Sequence, residues 1–197
     1  MSLPAAAQST KNKLLAVEAG LNDSSSIIRL STLEEALADK SKAVREYAMS
    51  QAFVSSDATM RSLAINHFFR SRKSFAVSVE KSPEFAAANG DDDYRYSHRL
   101  LRTYGPATNY MISNYDEATG AIQGYCVTGG ANSLEAKYSF VGSITGDSIA
   151  FRHHCRVHYS VAQCSVELKL ASAAAKLAGS MQCGSAEYPA TATIKLN

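Results

Sequence analysis

The basic residues Lys13, Arg29, Arg45 and Arg61 stand sixteen positions apart, and the residues around them keep the same register. The position before each reads Asn12, Ile28, Val44, Met60, and four after it comes Val17, Leu33, Met49, Ile65. Seven and eight after it come Gly20, Ala36, Ala52, Phe68 and Leu21, Leu37, Phe53, Phe69. Apolar residues at these offsets share one helical face. Ser25, Ser41 and Asp57 stand four before each arginine, where a side-chain oxygen can cap free helix N–H groups. The pattern predicts a repeat of capped helices of about twelve residues, roughly 18 Å each, joined by short turns. Four such helices fill residues 9 to 72.

After residue 73 the apolar period falls from 3.6 to 2, and turn residues recur at regular intervals. "FAVSVE" (75–80) reads as a first strand or a last helical turn. "KSPEFAAANGDDDYRYSH" carries Pro, Asn-Gly and three aspartates and reads as a connection between layers. From 108 onward the chain resolves into hairpins. "NYMISNY" and "AIQGYCV" flank "DEATG"; "EAKYSFVG" and "SIAFRHHC" flank "SITGD"; "CSVELKL" and "KLAGSMQC" flank an Ala-rich turn; "ATATIKL" follows. The expected fold is α+β: a helical repeat region at 9–72, a connection at 73–107, and a seven-strand antiparallel β meander at 108–197, barrel-like or strongly curved so that no edge stays open.

Within the helical part, "DKSKAVREYA" and "SSDATMRSLA" resemble HEAT-type repeats, whose helices commonly read Asp, a few polar residues, then Val-Arg and a small residue. The resemblance covers residues 23–70. It departs from the family because a HEAT unit contains two helices and sixteen residues accommodate one. Asn12 and Gly20 make the first unit a poor copy, as a terminal cap would be. The resemblance implies a stacked layer whose exposed face binds a partner; a bundle that buries its stripe against the rest of the chain is the other reading.

Charge narrows the function. Net charge is +2, and the densest basic run is "FRSRKS" (69–74), which argues against nucleic acid as a partner. No uncharged stretch is long and apolar enough for a transmembrane segment. The opening "MSLPAAAQ" resembles the end of a signal-peptidase site without its preceding apolar region, so we expect a periplasmic or secreted protein. The four cysteines, an even count confined to the β part, agree with oxidation there.

Candidate chemistry concentrates in "FRHHCRVHYSVAQC" (151–164). His154 and His158 have the spacing that gathers two imidazoles on a helix, but on a strand neighbours alternate, and only His153 with Cys155 would share a face. No Cys-x-x-Cys or His-Glu-x-x-His accompanies them, so a metal site on His153, His154 and His158 is the alternative to a disulfide framework. If Ala173 and Ala174 form a two-residue turn, facing residue numbers sum to 347, which sets Cys164 opposite Cys183. Cys126 and Cys155 come to the same level with a strand between them, so their bridge needs sheet curvature or a loop, and the other two pairings of the four cysteines stay open.

Three weaker signals complete the reading. Asp91, Asp92 and Asp93 lack calcium-loop spacing, and the acceptor-like Asn22-Asp23-Ser24 coincides with a turn. Ten tyrosines against no tryptophan suit either a binding surface or simple strand formation. We therefore expect an exported, non-catalytic protein that binds a protein or small ligand through its helical layer or meander surface, with no cofactor. The alternatives are a metal-dependent hydrolase with a His/Cys site near 153–164, and a structural component of a cell-envelope or extracellular assembly.

Overall fold

The computed structural model describes residues 5–89, 104–105, 107–127, 138–157, 160–171, 174–184 and 186–196. Four helices come first: α1 (Ala5–Leu21), α2 (Ser26–Ala38), α3 (Lys42–Phe53) and α4 (Ala58–Ser71). Their apolar stripe is buried at repeating positions: Leu33, Ala36 and Leu37; Val44, Ala48, Ala52 and Phe53; Met60, Ala64, Ile65, Phe68 and Phe69. Each helix packs on the next, and α1 also meets α3 while α2 meets α4, so the layer has two rows.

The turns repeat as well. Side-chain oxygens of Asp23, Asp39 and Ser55 accept the backbone N–H two residues on, at 2.8, 2.7 and 3.1 Å. Arg29, Arg45 and Arg61 then reach back and donate to the carbonyls of those same residues, at 2.9, 2.6 and 2.8 Å. The three arginines of the sixteen-residue ladder thus staple carbonyls that the turn would otherwise leave unpaired. Two carboxylates tie units together: Asp39 binds Lys13 at 2.7 Å and Asp57 binds Arg29 at 3.0 Å, each joining units two apart in the repeat. Ser25, Ser41 and Asp57 all occupy N-cap positions in extended backbone, but only Asp57 caps with its side chain, accepting from Thr59 and Met60.

The β part is an eight-stranded antiparallel closed barrel, β1 to β8 in sequence order. It consists of β1 (Ser74–Lys81), β2 (Ala107–Asp116), β3 (Ala121–Val127), β4 (Ser139–Thr145), β5 (Ser148–Val157), β6 (Ser160–Leu170), β7 (Lys176–Cys183) and β8 (Ala190–Lys195), with a short helix α5 (Pro83–Asn89) after β1. The barrel therefore begins inside the stretch expected to be a connection. "FAVSVE" is its first strand, with Phe75, Val77 and Val79 facing in. β1 pairs with both β2 and β8, and that double pairing removes the last open edges.

Side chains fill the interior. Phe75, Tyr110, Phe140 and Phe151 pack with ring centroids 5.0 to 5.9 Å apart. Gly124 faces this cluster, and a Cβ there would run into the Met111 carbonyl and the Phe140 ring. Arg152, Glu167 and Lys169 lie on the outer face.

The helical layer covers one end of the barrel. Phe69 meets Phe75 edge-on at 5.4 Å, which makes the two cores continuous. Arg70 pairs with Glu117 at 2.7 Å and Arg61 with Asp147 at 3.6 Å, both on hairpin turns of that end. A bulge between Ile112 and Asn114 reverses the alternation of β2, so Tyr115 turns toward α4 and donates to Asn66 at 2.8 Å. No helix among the described residues is long and apolar enough to cross a membrane.

Candidate functional site: a cysteine and histidine cluster in the barrel

Cys126, Cys155, Cys164 and Cys183 all lie near the barrel end opposite the helices, because each is at or near the end of its strand farthest from the turns that α4 contacts. All four side chains face in, 0 to 2% exposed. Cys164 is bonded to Cys183, its direct cross-strand partner in a register whose pairs sum to 347. Cys126 is bonded to Cys155 with β4 between their strands. Strands two apart in a flat sheet are about 10 Å apart, yet these Cα atoms are 5.7 Å apart. Barrel curvature closes the gap, and β4 only begins at this level: the Cys126 N–H donates to the Tyr138 carbonyl, and the strand starts at Ser139.

His153 sits between the two disulfides. It shares the inward face of β5 with Phe151 and Cys155, and its cross-strand neighbours are Phe140 on β4 and Cys164 on β6. Its Nδ1 lies 2.6 Å from Cys155 Sγ, and among the described residues its Nε2 has no hydrogen-bond partner. The ring is 2% exposed and stands edge-on to Tyr110 at 5.4 Å. Burial, with a smaller contribution from His154, pulls its pKa down to about 4, so the imidazole is neutral at neutral pH. Ligand atoms of Cys126, His153 and Cys155 lie within 4.8 Å of one another, and so do those of His153, Cys164 and Cys183.

The other candidate residues divide. His154 faces outward and is exposed, so the fold does not bring it together with His153; His158 lies outside the described residues. Asp91, Asp92, Asp93, Tyr94 and Tyr96 also lie outside them. Asn22-Asp23-Ser24 forms the first repeat turn. Tyr104, Tyr110 and Tyr138 are buried, and Tyr104 donates to the Tyr188 carbonyl at 2.7 Å, so these tyrosines build the core. The convergence of His153 on both cysteine pairs went unread in the sequence. Counting back from the tight β5–β6 hairpin sets 153 against 164, which is the signal that would have revealed it.

A separate cleft of about 340 Å³ lies where the helical layer meets the barrel, lined by Met49, Phe53, Ala175 and Leu196 with Arg72 and Glu46. Arg72 rests over the Phe68 ring at 4.3 Å.

Fold and site together define a class: a closed, side-chain-filled antiparallel barrel with a helical repeat on one end and two disulfides at the other. No protein-family model matches the chain, and no curated protein or solved structure matches it significantly.

Proposed function

We propose that the chain is an exported, non-catalytic binding protein, periplasmic or secreted, whose helical layer carries the docking face for a protein partner. The observation that carries the reading is an exposed apolar pair at the start of α2. Val44 and Met60 are 1% and 2% exposed, whereas Ile28, at the same repeat position, is 46% exposed and Ile27 beside it 77%. A position that is core in two units is open in a third, as at a stack that another surface continues. The resemblance of residues 23–70 to HEAT-type helices supports the same reading, and the two disulfides agree with an oxidising, extracytoplasmic compartment.

A photo-crosslinking residue placed at Ile27 in the full exported chain tests it. A discrete adduct is expected at Ile27, lost on Ile28→Asp, and absent with the probe on the barrel wall at Lys169. Equal labelling at both positions would remove the helical face from consideration.

A further inference from the structure

We infer that the barrel end is a redox-gated site for a thiophilic divalent cation, with Zn2+ the biological type, held by His153 and the cysteine sulfurs when the disulfides are open. The inference goes beyond the docking role, involves a different part of the molecule, and stands or falls separately from it.

Two observations carry it. First, Cys126, His153 and Cys155 form one set of soft and borderline ligands, His153, Cys164 and Cys183 form another, and the imidazole is common to both. Zinc bonds of about 2.3 Å to sulfur and about 2.0 Å to nitrogen set tetrahedral ligand atoms roughly 3.5–3.8 Å apart. His153 already lies within 4.8 Å of the sulfurs in both sets, and the two sulfurs of each set, bonded in the oxidised chain, separate toward that spacing once their bond is reduced. Second, His153 is polar, 2% exposed and, among the described residues, has an unpartnered Nε2. Two structural disulfides have no need of such a group in their midst, and its burial is unfavourable unless something occupies it. A metal ion would give that imidazole a bonded partner.

The two states exclude each other because they use the same sulfur atoms. In the structure the sulfurs are bonded in pairs and carry no thiolate charge. A dithiol reductant breaks each S–S bond, supplies two electrons and two protons, and leaves as its own cyclic disulfide. The cation then displaces thiol protons to solvent as sulfur–metal bonds form. Reoxidation by a disulfide of the same class releases the ion. An oxidising compartment therefore keeps the site closed, and the reduced chain binds metal.

Cobalt(II) is the probe. The full chain is reduced anaerobically with a phosphine, freed of reductant and titrated with Co2+, while circular dichroism follows the fold. The expected result is a sulfur-to-cobalt charge-transfer band with intense tetrahedral d–d bands, saturating stoichiometrically and displaced by Zn2+. The oxidised chain should show neither. His153→Phe should weaken apparent affinity at least tenfold and change the d–d pattern. If that variant does not fold, the Cys126→Ser/Cys155→Ser chain, which keeps His153 with Cys164 and Cys183, must show reduced charge-transfer intensity. Absence of a stoichiometric band in the reduced wild-type chain, folded or not, overturns the inference. A titration that His153→Phe or the serine pair leaves unchanged overturns it too.

Discussion

At the scale of single residues, His153 dominates the acid response of the disulfide-bonded protein. Its folded pKa of about 4 lies below the ordinary 6.5, so the folded state prefers the neutral ring while the unfolded chain takes up a proton at higher pH. Stability is then complete above pH 6.5 and declines as pH falls toward 4, by about 2–3 kcal/mol at the lower end. Asp39, Asp57 and Asp116 are held below 3.8 by hydrogen bonds, so their contributions fade only at lower pH. Urea unfolding of the oxidised chain at pH 7 and pH 4.5 should show this loss, and His153→Phe should flatten it. A variant with the wild-type slope would assign the acid response elsewhere.

Among the elements, the repeat turn sets the stability of the helical layer. Each arginine donates a charged hydrogen bond to carbonyls of its own turn, half-buried, where such bonds contribute about 1–2 kcal/mol. Arg45→Ala should cost about 1 kcal/mol in urea unfolding. Arg61→Ala should cost more, because Arg61 also donates to the Ser56 carbonyl and pairs with Asp147 on the barrel. Equal losses would mean that the Ser56 bond and the Asp147 pair contribute nothing. The docking bond between Tyr115 and Asn66 invites a double-mutant cycle: Tyr115→Phe with Asn66→Ala should show a coupling of about 1 kcal/mol.

Across the whole molecule, helices and barrel share one apolar core through Phe68, Phe69 and Phe75. Residues 1–73 alone would expose Phe69 and leave Arg61 and Arg70 without their barrel partners. Short helices deprived of that packing are marginal in water. The fragment should show weak helicity and no cooperative thermal transition; a sharp transition would mean that the layer folds unaided. The disulfides constrain the unfolded chain in proportion to the logarithm of loop length. Their separations are 29 and 19 residues, so replacing Cys126 and Cys155 by serine should cost slightly more than replacing Cys164 and Cys183, about 3–4 against about 3 kcal/mol.

Periodicity determined the four helices and the strand-rich second half, and hairpin counting the level of Cys164 opposite Cys183. Helical and strand repeats record which positions face an apolar neighbour, and a short hairpin fixes register by counting. Only the tertiary structure decided what those neighbours are. The alternation of "FAVSVE" is local, but its role as the strand that closes the barrel between β2 and β8 depends on partners over 25 and over 100 residues away. The Cys126–Cys155 bridge needed the curvature of a closed sheet, which no single strand encodes. Arg29, Arg45 and Arg61 were visible as a ladder, yet their chief acceptors are backbone carbonyls, which carry no sequence signature. His153 acquired its place between two disulfides because three hairpin registers and barrel closure coincide there. That coincidence is a property of the whole sheet, and pattern along the chain cannot express it.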